Sequence, residues 1–300
     1  MKMRLAGCVL ALLLAGCSNP ESSMQLGNIA YRRGDKAAAV EYYKAAAQDA
    51  KTRAAANYNL GRVAFEEQQY EQALTHFDQA LELKVEHPLV LVYRARTLLA
   101  LGKEEEALGD LEQATTRSSE QPQAFLELAK LLASRAQREP DPLKKKELLQ
   151  IAVEKVQKAR TSRALTEEAT LLSASWRREI GQLPMAIAEL EALMTDHSFR
   201  IETHFTLARY LLENQEYAEA ERYFRSGLRM EPSNIQGFLG LGEALMGRGR
   251  YSDAGQMLDA VTATQGLEPQ VLEKAKELRA VVDQKLSEGS ESTEAGSVGQ

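Results

Sequence analysis

The stretch Ile201–Glu268 is one sentence of 34 residues written twice, IETHFTLARYLLENQEYAEAERYFRSGLRMEPSN followed at once by IQGFLGLGEALMGRGRYSDAGQMLDAVTATQGLE. Leu207-Ala208, Leu211, Tyr217, Ala220, Phe224 and Gly227 fall at the offsets of Leu241-Gly242, Leu245, Tyr251, Ala254, Leu258 and Val261. A period of this length is too long for one helix or strand. Within each copy the apolar residues recur three and four apart in two runs, Thr203–Asn214 and Tyr217–Met230 in the first, so each run predicts an amphipathic helix. Asn214-Gln215-Glu216 and Gly247-Arg248-Gly249-Arg250 punctuate the pairs, and the small residues Ala208, Ala220, Gly242 and Ala254 let two antiparallel helices approach closely. The unit is a helical hairpin.

The period, with its Leu-Gly, Tyr, Ala, Phe and Pro positions, resembles the tetratricopeptide repeat. The resemblance implies an all-α solenoid of helical hairpins wound as a right-handed superhelix. Stepping through the chain from this frame predicts seven repeats at about 20–53, 54–87, 88–121, 122–166, 167–200, 201–234 and 235–268, then a capping helix at 269–286. Pro88, Pro122 and Pro269 begin their windows, where a helix needs no N–H. Three windows are irregular. The window at 88–121 has Arg94-Ala95 where its neighbours read Leu-Gly, and that at 122–166 is lengthened around 136–147 by Pro140-Asp141-Pro142 and Lys144-Lys145-Lys146. This insertion is either a functional protrusion or a tolerated surface loop. In 167–200 the first helix carries Ser173-Ala174 and Arg177 in place of larger apolar residues, and the single Trp176 is expected in the core. Residues 287–300, rich in Ser, Glu and Gly, predict a disordered tail.

Of 300 residues, 44% are hydrophobic and 6% aromatic, which suits a helical chain rich in Ala and Leu. The net charge of −6 argues against nonspecific nucleic-acid binding, which needs dense Lys and Arg. At the N-terminus, Lys2 and Arg4 precede the apolar run Leu5–Ala15, which is too short to span a bilayer and predicts a signal peptide over 1–16. Leu14-Ala15-Gly16-Cys17 resembles the lipobox of bacterial lipoproteins. That resemblance implies cleavage before Cys17, a thioether-linked diacylglycerol on its sulfur and an acyl group such as palmitate on its amine. The mature part, 17–286 with its tail, then has no other cysteine and a charge of −8. Ser18 after the cysteine points to the periplasmic side of the outer membrane by the family's sorting pattern, with the inner membrane as the alternative.

Convergent polar residues of the kind enzymes use are not found. His76, His87, His197 and His204 are scattered without Cys partners or metal-binding spacing, and Gly237-Phe238-Leu239-Gly240 lacks the pattern of a phosphate loop. No catalytic residue, metal or cofactor is expected.

In the resembled family the first helix of each hairpin lines a concave groove that takes up peptides or partner helices. Carried over by offset, the groove residues are Tyr58, Arg62 and Phe65, then Val92, Arg96 and Leu99, then Leu126 and Lys130, and finally Phe205, Arg209 and Leu212. Arg62, Arg96 and Lys130 stand at one offset in three successive windows. They form either a basic stripe for an acidic peptide segment or local pairs with Glu66, Glu127 and other acids. The expectation is a noncatalytic, membrane-anchored scaffold of an envelope assembly, pilus or secretion machinery; the alternative is an adaptor that regulates peptidoglycan synthases or hydrolases.

Overall fold

A computed structural model of the chain describes residues 19–83, 88–117, 121–195 and 201–297. The predicted signal peptide and Cys17 lie outside them. Among the described residues there are fifteen helices and no strand. The helices alternate as first and second members of hairpins: α1 (Pro20–Arg32) and α2 (Lys36–Ala46), α3 (Arg53–Glu66) and α4 (Tyr70–Glu82), α5 (Pro88–Ala100) and α6 (Glu104–Arg117), α7 (Pro122–Arg138) and α8 (Pro142–Ala159), α9 (Thr166–Glu179) and α10 (Leu183–Thr195), α11 (Ile201–Glu213) and α12 (Tyr217–Met230), α13 (Ile235–Gly247) and α14 (Tyr251–Thr262). The last helix, α15, runs Pro269–Ser297. The chain forms two compact units, Met1–Pro140 with Glu154–Leu165, and Asp141–Val153 with Thr166–Gln300. In each, successive helices pack on one another along the chain, α1 through α7 in the first unit and α9 through α15 in the second.

Six of the seven hairpin turns are closed by the same device. The fifteenth residue of the window is left-handed: Gly34, Gln68, Gly102, Gly181, Gln215 and Gly249 have φ between 60° and 83°. The following N–H (Asp35, Gln69, Lys103, Gln182, Glu216, Arg250) then donates to a carbonyl five residues back at 2.7–3.0 Å, which satisfies one orphan carbonyl of the first helix. The turn before α8 is different, because Glu139 is extended ahead of Pro140 and the side chain of Asp141 accepts from Leu143 N at 2.9 Å. Here the predicted insertion lengthens the helices themselves: α7 has 17 residues and α8 18, against 13 and 11 in the first hairpin.

In the first two hairpins closure depends on size matching between two offsets. A Cβ on Gly27 would come within 2.6 Å of the Tyr43 ring, and one on Gly61 within 2.6 Å of Phe77, both rings being fully buried. Where the second helix carries the smaller Leu111 or Leu190, the facing residue is Ala95 or Ala174. Trp176 is buried as expected.

Arg94, out of place by pattern, holds two second helices together. Its Nε lies 2.7 Å from Asp78 and its Nη1 2.8 Å from the buried Asp110. In the second unit Glu221, 2% exposed, accepts Arg250 at 2.7 Å and is also paired with Arg225 and Arg248, which fastens α12 to the α13–α14 turn. The cap does not stop at Leu286. Backbone helix continues to Ser297, so the tail expected to be disordered from 287 is helical up to that residue. Gln284 and Lys285 both donate to Glu288, at 2.9 and 2.8 Å, local bonds that need no apolar face.

Two predictions follow from these strained points. Gln68 and Gln215 carry the Cβ penalty of the left-handed region, so Gln68→Gly and Gln215→Gly should each raise unfolding free energy in urea by about 0.5–1 kcal/mol, and Gly34→Ala should lower it. Burial pushes the Asp110 carboxyl up to about 6; attraction to Arg94 opposes this and repulsion from Asp78 adds to it. The folded state therefore binds the extra proton between about pH 4 and 6, and this group's contribution to stability falls as pH rises through that window. Asp110→Asn should be more stable than the parent at pH 7.5, by on the order of 2 kcal/mol, and indistinguishable near pH 4, as read from urea melts at the two pH values.

Candidate functional site

In the first unit the first helices α1, α3, α5 and α7 bring a set of aromatic and cationic side chains together. Arg62 of α3 is the centre. Its guanidinium carbon lies 4.9 Å from the ring centroid of Tyr31, 5.6 Å from Tyr58 and 5.5 Å from Tyr93, and Nη2 donates to the Tyr31 hydroxyl at 3.1 Å. The Arg96 guanidinium carbon lies 5.3 Å from the Tyr93 ring centroid, and Arg96 pairs with Glu127 at 2.5 Å. The rings pack edge to face, Tyr58 against Tyr93 at 5.8 Å and Phe65 against Tyr93 at 6.3 Å. Rings around a cation attract it through their quadrupoles, and half-burial strengthens that attraction.

Electrostatics follow from this crowding. Burial, and then donation to Glu66, push the Tyr31 hydroxyl up to about 12, while Arg62 pulls the other way. Tyr58 is pushed up to about 12 by burial, again against Arg62. Burial opposes ionisation of Glu66, but hydrogen bonds from Tyr31 and Lys36 outweigh it and hold the carboxyl below its ordinary range. Lys36 sits 2.9 Å from Glu66, so that acid is already committed. Arg62 has no ion-pair partner among the described residues, and its buried Nε has no hydrogen-bond acceptor. The cluster therefore presents half-buried ring faces around a guanidinium whose charge no acid among the described residues neutralises by direct pairing.

In the second unit, α9, α11 and α13 enclose a cavity of about 530 Å³ lined by Ser175, Arg178, Arg209, Tyr210, Leu212, Glu213 and Glu243. Arg178 pairs with Glu213 at 2.5 Å and lies over Tyr210, and Glu243 pairs with Lys274 at 2.5 Å. Arg209 is exposed at the rim and has no hydrogen bond or ion pair among the described residues. No group of three His, Cys, Asp or Glu side chains among the described residues is placed to hold a metal ion, and none of their helices is long and apolar enough to cross a membrane.

Profiles of the tetratricopeptide repeat match residues 20–48, 52–120 and 211–276, together more than half of the chain. The chain belongs to the tetratricopeptide repeat family. Among solved structures, this TPR protein is similar to the C-terminal part of a TPR repeat-containing protein from Cytophaga hutchinsonii, with 18% identity, a TM-score of 0.56, and 68% of this chain and 78% of that one covered. It is also similar to YrrB, a TPR protein with an unusual peptide-binding site (19% identity, TM-score 0.54, 67% and 97% covered). A third similar structure is PilW, a widely conserved type IV pilus biogenesis factor (17% identity, TM-score 0.53, 73% and 96% covered). At these identities the likeness is one of fold. No curated protein matches the chain in sequence.

Not every residue carried over by TPR offset reaches the surface. Val92 and Leu126 are buried, at 0% and 1% exposure, and belong to the core of their repeats. Phe205 is half-buried and its ring packs against the next two helices: a Cβ on Gly227 of α12 or Gly237 of α13 would meet it at 2.7 Å. Tyr58, Arg62, Phe65, Arg96, Leu99 and Leu212 are half-buried, as a lining residue must be, and Arg209 is exposed. The three-cation stripe is not a row of free charges, because Arg96 holds Glu127 and Lys130 also has a partner within the protein. Tyr93 was absent from the offset rows although it touches both arginines. Its spacing of three from Arg96 on one helix was the available signal. Because Arg62 fills the space between three rings, Arg62→Ala should destabilise the TPR array by about 1–2 kcal/mol in urea unfolding, and Arg62→Lys should recover only part, since an ammonium cannot stack as a plane.

Proposed function

We propose that this TPR protein is a noncatalytic scaffold that captures a protein segment on the aromatic and cationic surface of its first unit. Arg62 carries the reading: a half-buried guanidinium held among three tyrosines, with no acid paired to it among the described residues, keeps a positive charge that a carboxylate brought by a partner can meet. A segment of acidic character with apolar or aromatic side chains fits the ring faces of Tyr58, Phe65 and Tyr93 beside it. The wider setting we propose is the bacterial envelope. Lipid on Cys17 would tether the chain to the outer membrane facing the periplasm, where it would serve a pilus or secretion assembly. The lipobox-like Leu14-Ala15-Gly16-Cys17 supports the tether, and fold likeness to a peptide-binding TPR protein and to a pilus biogenesis factor supports the role.

A photo-crosslinking residue placed at Tyr58 or Leu99, and as a control at the exposed Glu71 of α4, tests this in intact cells. Adducts with pilus or secretion components from Tyr58 and Leu99 alone are expected, weakened at least tenfold by Arg62→Ala in protein of unchanged helicity. Adducts with peptidoglycan synthases or hydrolases would move the protein to the cell-wall adaptor role, and equal labelling from Glu71 would remove the groove as the site.

A further inference from the structure

Repetition makes the first helix a controlled comparison. At the third, seventh and tenth positions of the window, later first helices bury their side chains against the preceding hairpin, Arg94 of α5 excepted. In α3 these are Ala56, Leu60 and Val63, at 0%, 5% and 1% exposure; in α7 Ala124, Leu128 and Leu131, at 0%, 2% and 4%; in α13 Leu241 and Ala244, at 3% and 0%. In α1 the same positions are Ser22, exposed, and Leu26 and Ile29, 39% and 38% exposed. On a helix of 3.6 residues per turn the exposed Arg33 continues this strip. Two apolar residues between a hydroxyl and a cation make an amphipathic edge.

Neither a second copy nor a helix packed as in the interior suits this strip. Interior packing asks for a small apolar or methyl-bearing residue at the third position, where α1 offers the polar Ser22. Two half-exposed side chains also fall far short of the roughly 1,000 Å² a stable protein interface buries. The length of chain before the helix points elsewhere. Asn19 caps α1, its side chain accepting from Glu21 N at 3.2 Å and its carbonyl from Ser23 N at 3.0 Å, and Pro20 is the first helical residue. Only Ser18 and Asn19 separate Cys17 from this cap-anchored start, a reach of at most about 10 Å. At 1.5 Å per residue, Leu26 and Ile29 lie about 9 and 13 Å along the helix. A lipid on Cys17 therefore brings this strip to the headgroups.

We infer that the outer strip of α1, Ser22, Leu26, Ile29 and Arg33, lies on the lipid surface that holds Cys17, with the two apolar side chains entering the headgroup boundary and Arg33 meeting anionic phosphates. The inference rests on the lipid attachment proposed above. Its consequence is that the first hairpin is seated on the membrane and does not swing on a leash, so the Arg62 surface is held at a set height.

The test uses the protein purified from membranes and reconstituted at low density in vesicles of phosphatidylglycerol and phosphatidylethanolamine, with the mass of the Cys17 peptide measured first. An environment-sensitive fluorophore is attached through Ser22→Cys or, as control, through Glu112→Cys on the exposed side of α6. The Ser22 label should shift to shorter wavelength in vesicles and the Glu112 label should not. Leu26→Asp with Ile29→Asp should abolish the shift while lipid and helicity are kept. An unlipidated Cys17 peptide would defeat the anchor itself. A lipidated protein whose Ser22 label matches the control would defeat only the seating of α1, as would a shift that rises with protein density, the mark of a second copy covering the strip.

Discussion

Close approach of the two helices in each hairpin is the constraint on which everything else in this protein depends. A fully buried ring, Tyr43 or Phe77, is accommodated because Gly27 or Gly61 has no side chain at the facing offset; the ring of Phe224, opposite Ala208, lies instead against Gly240 of α13. Dense packing makes this matching strict, since inserting even one methyl against a ring forces a helix outward. A left-handed residue at the turn then returns the chain so that the second helix lies against the first. Gly34, Gly102, Gly181 and Gly249 adopt it without cost, whereas Gln68 and Gln215 are held there by the packing on either side.

Two of the ion-pair clusters between hairpins are built on a buried acid, Asp110 or Glu221. Arg94 bridges Asp78 and Asp110 at a position where every other repeat but the fifth, with Ser173, carries Leu, and Glu221 gathers three arginines around a carboxylate that is almost fully buried. Removing the shared group, Arg94 in the first arrangement or Glu221 in the second, would leave its partners' charges uncompensated, which is why such groups fasten one repeat to a particular neighbour.

The same stacking creates the surface. Because first helices sit side by side, residues from different offsets of α1, α3 and α5 converge, and Tyr31, Tyr58 and Tyr93 surround Arg62 although they lie far apart in the chain. A planar cation among rings is rigid and only partly desolvated, so it can offer a donor without the entropy loss of ordering a free arginine. In the second unit the corresponding helices carry acids as well, with Glu213 and Glu243 paired to Arg178 and Lys274 around the cavity, and only Arg209 stands apart. The two units thus offer surfaces of different chemistry on the same scaffold.

Helix positions were legible from the sequence alone, because a 34-residue period of small and apolar residues allows one local solution, a hairpin, and its repetition allows one way to bury the apolar faces. The turns were legible too, except that nothing in Gln68 or Gln215 announces a left-handed residue; only the hairpins they connect impose it. Offsets could not say which side chains stay open. Val92 and Leu126 were drawn into the core, Phe205 folded into the space above Gly227 and Gly237, and Arg96 found Glu127, 31 residues away. Nor could they bring Tyr93 to Arg62. These outcomes depend on the sizes and charges of neighbours one full repeat away, and such distances are settled by packing in three dimensions, not by any pattern along the chain.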